Sequence, residues 1–200
     1  MTRVLARWLA ACVVVVAAMM LTGCGGVLDD PYKATGGADT ATAAAKLVPL
    51  PSLEETEARV RQAVLELGTY TSTLVPGLQW HWDGNRSPRG CGRPYDETQG
   101  SSVHLPDYLA FGPIPDAAWP QASQRAKELA ASLGATGGQG FKDQPGDHLA
   151  RFYSPQGTVL SLGTAVNAII SGDTGCRLPA AVKNLPPPPP PPPSSSPPTS

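Results

Sequence analysis

Apolar side chains recur at helical spacing along residues 52–74, with polar side chains between them. The apolar stripe consists of Leu53, Val60, Val64, Leu67 and Leu74. Ser52 and Glu55 stand three residues apart at the start of the segment, which is the spacing of a capping box. The pattern predicts an amphipathic helix that packs against a protein core. A membrane-surface helix is the alternative, but the polar face is mixed in charge rather than basic.

Shorter segments of alternating apolar and polar residues predict strands. They are residues 78–82, 101–104 and 108–111 in the first half of the chain, and residues 148–153, 158–162 and 166–171 in the second. Alternation in the first segment places Trp80 and Trp82 on one face of the strand and His81 on the other. Pro155-Gln156-Gly157 separates two of the later segments and indicates a hairpin.

A second helix is predicted over residues 117–133. Asp116 stands at its N-cap position, and Gly134 follows the helix as a residue suited to the left-handed conformation. The connecting segments 85–100 and 135–146 are rich in glycine and polar residues and are expected to be irregular loops. These elements predict an α+β fold, in which two helices pack on one face of an antiparallel sheet of about five strands.

The N-terminal segment has the pattern of a bacterial lipoprotein signal. Arg3 and Arg7 precede an apolar stretch at residues 9–21, which is shorter than the about 20 residues that a transmembrane helix needs. The stretch ends at Leu21-Thr22-Gly23-Cys24, where small residues precede a cysteine. We expect cleavage before Cys24 and acyl chains on that cysteine, which would hold the protein at the outer face of the membrane. The alternative is an uncleaved anchor.

The chain is thereby divided into four segments. Residues 1–23 are expected to be a signal peptide, and residues 24–48 the lipidated cysteine and a flexible tether rich in alanine, glycine and threonine. Residues 49–185 are long enough for one α+β domain with its own core. Residues 186–200 begin with eight consecutive prolines. They are expected to be a disordered tail, with a spacer or a ligand for a proline-binding partner as the alternative.

The net charge of the chain argues against nucleic acid as a binding partner. The formal charge is −1 at pH 7, so the chain has no general positive field to attract nucleic acid, and no nucleic-acid partner is expected. The partners that remain are the membrane, reached through acyl chains on Cys24, and a lipid or cell-wall ligand. No cofactor is expected, and the oligomeric state is left open.

Two cysteines belong to the predicted domain, Cys91 and Cys176. An exported domain faces an oxidising exterior, so we expect these two residues to form a disulfide bond. Two buried free thiols are the alternative. Neither cysteine has a neighbouring cysteine or histidine at metal-ligand spacing, and a zinc site is therefore not expected.

Local motifs give little support for catalysis. Asp173-Thr174-Gly175 matches the tripeptide of aspartic proteases, but the chain has no second copy and that mechanism needs two carboxylates. The glycines near residues 134–140 match no nucleotide-binding pattern. His81, His104 and His148 are isolated from one another in sequence, so a catalytic or metal cluster would require the fold to gather them. No catalytic residue is predicted.

Three aromatic side chains are candidates for lining a ligand pocket, namely Trp80, Trp82 and Trp119. Such residues are more often part of the core between a sheet and its helices. A large cavity behind them would favour ligand binding, whereas a filled core would favour a surface-mediated partner or a passenger domain.

Several short stretches of the chain match the pattern of a known family: Leu21-Thr22-Gly23-Cys24, Val75-Pro76-Gly77-Leu78-Gln79-Trp80, Cys91, Ala110-Phe111-Gly112, Trp119, and Ser171-Gly172-Asp173 before Cys176. In these residues the chain resembles the mycobacterial lipoproteins of the LppA/LppV family. The resemblance implies a cell-surface lipoprotein with a small α+β domain and no assigned activity. It supplies no catalytic residue that can be transferred to this sequence.

These observations predict a lipid-anchored protein of the cell envelope that binds a lipid, a cell-wall component or a partner protein without catalysis. A surface or antigenic passenger domain that acts mainly through its lipid is the alternative, and a hydrolase is the least favoured. Convergence of two residues among His81, His104, His148, Asp83 and Asp173 in one cleft would favour the enzyme.

Overall fold

The computed structural model describes residues 33–185, with only the backbone described at residues 139–141. The helices in this range are α1 (Gly37–Leu47), α2 (Leu53–Leu74), α3 (Trp119–Ser132) and α4 (Ala180–Lys183). The strands are β1 (Trp80–Asp83), β2 (Ser87–Gly90), β3 (Ser101–His104), β4 (Asp107–Phe111), β5 (Gly137–Gln144), β6 (Asp147–Tyr153), β7 (Thr158–Thr164) and β8 (Asn167–Thr174). The predicted α+β class is confirmed.

The strands form one antiparallel sheet. Its main order is β1-β4-β8-β7-β6-β5, while β2 pairs with β3 and β3 joins the end of β8. The sheet has eight strands, so the prediction of about five was too low. Two of the strands lie in segments that were expected to be irregular: β2 lies within residues 85–100, and β5 lies within residues 135–146. Both are short of the large apolar side chains that mark a strand in sequence.

Helix α2 forms because its first turn is capped and one face is apolar. Glu55 N donates to Ser52 Oγ at 3.2 Å, and Ser52 N donates to the Glu55 carboxylate at 2.8 Å. The predicted capping box is therefore confirmed. The buried face includes Val60, Val64 and Leu67, which are fully shielded from solvent and form the core between α2 and the sheet.

Strand β8 lies beneath this helix, and its side chains alternate between buried and half-buried positions. Gly172 marks a close approach, since a Cβ at this position would lie 2.6 Å from Cγ1 of Val60. Ile170 fills the neighbouring position on the same face. Helix α3 packs beside α2 with Ala122, Ala126 and other small buried residues.

Helix α1 corrects the predicted tether. Residues 24–48 were expected to be flexible, but Gly37–Leu47 is helical and buries Ala43 and Leu47. These side chains pack with Tyr95 and Leu178 in a second apolar cluster. The physical reason is that alanine has the highest helix propensity, and a single apolar face is enough to dock such a helix. The compact unit accordingly begins at Ala34 rather than at residue 49.

The predicted N-cap at Asp116 is wrong. Helix α3 begins at Trp119, its N-cap is Ala118, and no side chain caps it. The Asp116 carboxylate instead accepts a hydrogen bond from Gly146 N at 2.8 Å and contacts a histidine ring. Pro120 occupies the first turn, where a missing N–H costs no hydrogen bond.

The predicted disulfide between Cys91 and Cys176 is confirmed. The two Cα atoms lie 5.5 Å apart, and 85 positions separate the residues in sequence. The bond joins the segment after β2 to the segment after β8, so it ties the edge hairpin to the centre of the sheet. Gly100 lies against it, because a Cβ there would be 2.5 Å from Sγ of Cys176.

Candidate functional site

The two tryptophans of β1 form an aromatic stack with Tyr108 on the paired strand β4. The ring centroids of Trp80 and Tyr108 lie 5.4 Å apart, and those of Trp82 and Tyr108 lie 4.6 Å apart. Arg61 of helix α2 places its guanidinium 4.7 Å from the centroid of the Trp82 ring. His81 points to the opposite, exposed face, as the alternation predicted.

Helix α2 rests directly on this stack at Gly68. A Cβ at Gly68 would lie 2.7 Å from Cε1 of Tyr108 and 3.4 Å from Cγ of Trp80. Trp80, Trp82 and Tyr108 pack against the main core as partly buried side chains. The space behind Trp80 is therefore filled by side chains, which favours the alternative that these tryptophans belong to the core.

Trp119 has a different environment, because its ring stacks on His148. The two ring centroids are 4.9 Å apart and the planes are 14° from parallel. His148 is 7% exposed and is held between two carboxylates. Its Nε2 lies 2.9 Å from Oδ1 of Asp116, and its Nδ1 lies 2.8 Å from Oδ1 of Asp143.

The hydrogen bond that His148 donates to Asp116 raises the pKa of His148, burial opposes this effect, and the hydrogen bond to Asp143 adds to it. The same contact lowers the pKa of the Asp116 carboxyl, with a further contribution from Gly146 N. Both ring nitrogens face carboxylate oxygens, so the doubly protonated imidazolium satisfies both contacts. The cluster joins the start of α3 to the β5–β6 turn and acts as a clamp between them.

A second histidine also faces an acid. Nδ1 of His104 lies 3.1 Å from Oδ1 of Asp173, across the pairing of β3 and β8. His104 and Asp173 are two of the residues whose convergence in one cleft would favour an enzyme, and they are in contact. Ser102 lies two residues along β3, but its hydroxyl donates to the carbonyl oxygens of Arg89 and Gly90. No contact among the described residues joins a nucleophile to the His104 ring, and acyl-transfer catalysis would need one.

His81 is separate from both acid–histidine contacts, since its ring stacks on Phe111 at 5.2 Å between centroids. The three histidines therefore have three different sets of partners on β1, β3 and β6. Within residues 33–185 no group of three or more histidine, cysteine, aspartate or glutamate side chains is arranged to hold a metal ion.

A surface groove of about 680 Å³ runs between helices α2 and α3, which we call the helix groove. Its lining residues are Glu66, Thr69, Tyr70 and Thr73 on α2, and Pro120, Gln121, Gln124, Arg125 and Glu128 on α3. This volume lies within the range of about 300–1,000 Å³ that is typical of small-molecule sites.

Arg125 organises the polar side of the helix groove. Its guanidinium is paired with Glu66 of α2, and it donates to Glu128 at 3.1 Å on its own helix. The same guanidinium lies 5.9 Å from the centroid of the Tyr70 ring. Gln124 Nε2 donates to Glu128 at 3.1 Å. The groove thus combines one aromatic ring with amide and hydroxyl groups and with a guanidinium that is already paired with two carboxylates.

The helix groove was not predicted from the sequence. Tyr70 lies outside the apolar stripe of the first predicted helix, and that is the one local signal that separates it from the core residues. Gln121 and Gln124 have the appearance of ordinary solvent-facing positions of a helix. Only the packing of α3 beside α2 brings the two sets together.

Cys24, the predicted lipidation residue, lies outside the described residues, as do the predicted signal peptide and the proline-rich tail. Among residues 33–185, every helix is too short or too polar to cross a membrane.

Comparison with known proteins completes the description. No curated protein matches the chain. A crystal structure of the lipoprotein LppA from Mycobacterium tuberculosis is similar in fold, with a TM-score of 0.60 and 15% sequence identity over 74% of this chain and 92% of that one. A DUF4853-family protein from Actinomyces odontolyticus gives a TM-score of 0.43 and 16% identity over 68% and 72% of the two chains. The family model of LppA, described as a lipoprotein confined to pathogenic Mycobacterium, matches residues 28–180. The chain therefore belongs to the LppA family of lipoproteins.

Proposed function

We propose that this protein is anchored in the cell envelope by acyl chains on Cys24 and binds an uncharged saccharide of the cell wall in the helix groove, without catalysing a reaction. Membership of a lipoprotein family supports the anchoring. The observation that carries the binding proposal is the Tyr70 ring, which lies among planar amide and carboxylate side chains in a groove of ligand size.

The chemistry of the groove favours a hydroxylated, uncharged ligand. An aromatic ring provides an apolar face with a polar tip, and such a face packs well against the C–H face of a sugar. Gln121 and Gln124 supply amide donors and acceptors in the same wall. Arg125 is already paired with Glu66 and Glu128, so the groove offers no unpaired cation to an anionic ligand.

The filled interior argues against an enclosed lipid ligand. Gly68 of helix α2 lies in contact distance of the Tyr108 ring, so no acyl chain fits between the helix and the aromatic stack without displacing side chains. The groove, in contrast, is open to solvent along both helices. A saccharide chain longer than the groove is able to extend past either end.

The site also supports binding without catalysis. Hydrolysis of a glycosidic bond requires two carboxyl groups that flank the bond, one of them protonated near neutral pH. Here the guanidinium of Arg125 is paired with both Glu66 and Glu128. Hydrogen bonds from Gln124 and Arg125 lower the pKa of Glu128, which is the opposite of what a general acid needs.

The test is titration of the full-length protein in detergent micelles with an N-acetylglucosamine hexamer, followed by isothermal titration calorimetry. We expect saturable binding to the wild type and a loss of about tenfold or more in affinity for Tyr70→Ala, because a buried aromatic side chain often dominates a small interface. Phe111→Ala is the matched control, since it removes an exposed aromatic ring on the sheet.

Two results would refute the glycan proposal. One is equal affinity of wild type and Tyr70→Ala, and the other is absence of saturable binding. Native mass spectrometry of the same preparation identifies the competing ligand class: a co-purifying lipid would indicate a binder of the lipid class, and an unliganded protein that binds no glycan would indicate a passenger domain.

A further inference from the structure

Arg177 is a buried cation that forms no ion pair with another residue in the range 33–185. It follows Cys176 directly and is 4% exposed. Its Nη1 donates to the Cys176 carbonyl oxygen and its Nη2 donates to Oγ1 of Thr158, each at 2.7 Å. Both acceptors are neutral. Nε is buried and has no hydrogen-bond partner among the described residues, and none of the ion pairs there includes Arg177.

A guanidinium in this position is energetically costly. Burial lowers the pKa of Arg177, but a guanidinium remains protonated throughout the physiological range. Buried charges in folded proteins are paired as a rule, because an isolated charge in a low-dielectric surrounding loses its hydration without replacement. An acceptor with negative charge is the component that this site lacks.

A groove of about 250 Å³ opens over Arg177, which we call the Arg177 groove. Arg59 of helix α2 is a second cation in its wall, and Ser154 of the β6–β7 turn is a third polar group. Ser154 Oγ accepts a hydrogen bond from Thr158 N at 3.0 Å, so its own hydroxyl hydrogen is available to donate. Leu50 and Leu133 form apolar walls on either side.

Glu55 precedes Arg59 by one helical turn. Its carboxylate accepts from Ser52 N in the capping box, and that contact is the main reason for its lowered pKa, to which the charge of Arg59 adds a smaller effect. No carboxylate is among the residues that line the groove. Two guanidinium groups and a hydroxyl therefore line one small space that contains no acidic side chain.

We infer that the Arg177 groove binds an oxyanion, a phosphate or carboxylate group, with Arg177 at its base and Arg59 at its rim. Guanidinium groups bind both kinds of anion through paired N–H donors. The groove is a second site, at the N-terminal end of α2 and the C-terminal end of α3, and it shares no lining residue with the helix groove. The inference does not depend on the proposed glycan. A phosphate on a lipid headgroup and a phosphate or carboxylate on a soluble envelope molecule share this chemistry.

The test follows the Nε–H signal of Arg177 by ¹H–¹⁵N NMR on the full-length protein in uncharged detergent micelles. Three probes are titrated separately: inorganic phosphate, acetate, and the short-chain phospholipid dihexanoylphosphatidylglycerol. We expect a saturable shift of the Arg177 Nε–H signal, since a buried group that is only structural would not respond to a ligand. Saturation by the phospholipid alone assigns a headgroup, whereas saturation by phosphate or acetate assigns a soluble group.

Arg59→Gln tests the rim without disturbing the base, because Arg59 is solvent-exposed. This substitution should lower the affinity for the anion about tenfold, which corresponds to the loss of one charged hydrogen bond. Arg61→Gln, on the same helix but over the Trp82 ring, is the matched control and should bind as the wild type does. The inference is overturned if no probe gives a saturable shift, or if Arg59→Gln and Arg61→Gln have equal affinities. Neither result bears on Tyr70.

Discussion

The backbone of Gly68 lies so close to the ring of Tyr108 that a Cβ on this glycine would be 2.7 Å from Cε1. Here the backbone of helix α2 rests directly on a side chain of strand β4. The Tyr108 ring has little freedom to move, because it is packed against both Trp80 and Trp82. One absent methyl group thus sets the spacing between the long helix and the edge of the sheet.

Gly68→Ala should therefore destabilise the protein, although alanine is the better helix former. The gain in helix propensity is about 1 kcal/mol. Overpacking against a fixed ring costs about 1–3 kcal/mol, so a mid-range cost of about 2 kcal/mol leaves a net loss of about 1 kcal/mol in the free energy of unfolding. Urea denaturation measures this change. Thr69→Ala, at the adjacent exposed position, is the control and should change the value by less than about 0.5 kcal/mol.

A Gly68→Ala protein as stable as the wild type would show that the rings of the aromatic stack can move to make room for the added methyl group. Space for a ligand would then be available behind Trp80. The change thus also tests the argument that the interior is filled. Its result is independent of the helix groove, because Gly68 is not among the residues that line that groove.

The Cys91–Cys176 bond should contribute strongly to stability. It closes a loop across 85 positions, and the chain-entropy model gives about 4 kcal/mol for a loop of this length. The double variant Cys91→Ala, Cys176→Ala should show this loss in denaturant unfolding. Reducing agent should lower the stability of the wild type and leave the double variant unchanged. Equal stability of the two proteins under non-reducing conditions would contradict the prediction.

The elements with a strong local pattern could be predicted from the sequence. Ser52 and Glu55 mark the start of the long helix, and Trp80-His81-Trp82 alternates as a half-buried strand does. Both were located correctly, because the information lies within a few neighbouring residues. The hairpin at Pro155-Gln156-Gly157 was found for the same reason.

Other elements depend on distant partners and gave no adequate local signal. Gly137–Gln144 is a strand because β6 pairs with it, although its composition resembles a loop. Gly37–Leu47 is docked by a cluster that includes Tyr95 and Leu178, which are far away in sequence. The helix groove and the Arg177 groove likewise exist only where separate elements meet. Tertiary packing overrides local propensity in each case.

The proposed anchoring makes a prediction about Cys24. Cys24→Ala removes the residue that would carry the acyl chains, so the protein should move from the membrane fraction to the soluble fraction of the envelope. Membrane sedimentation followed by immunoblotting measures the distribution. Cys12→Ala, which changes a cysteine within the predicted signal peptide, is the control and should leave the protein in the membrane fraction. Retention of Cys24→Ala in membranes would contradict lipid anchoring at this residue.

The clamp at His148 predicts a dependence of stability on pH. The pKa of His148 is raised in the folded protein, chiefly by Asp116, so the folded state binds this proton more tightly than the unfolded state. Its contribution to the free energy of unfolding is complete below the unfolded pKa of 6.5 and is lost as pH rises through the higher folded pKa. Asp116 behaves oppositely: its contribution is lost as pH falls through its lowered pKa.

Asp116→Asn should therefore reduce stability most at a pH of about 5 to 6, where His148 is protonated and Asp116 is ionised. The difference from the wild type should diminish at higher pH. An NMR titration of the His148 ring should show its pKa falling toward the ordinary value in this variant. Asp147→Asn is the control, because it removes an acid of β6 that is paired with Lys142 of β5 rather than with His148. It should leave the His148 pKa nearly unchanged. An unchanged pKa in Asp116→Asn would show that Asp143 alone holds the ring.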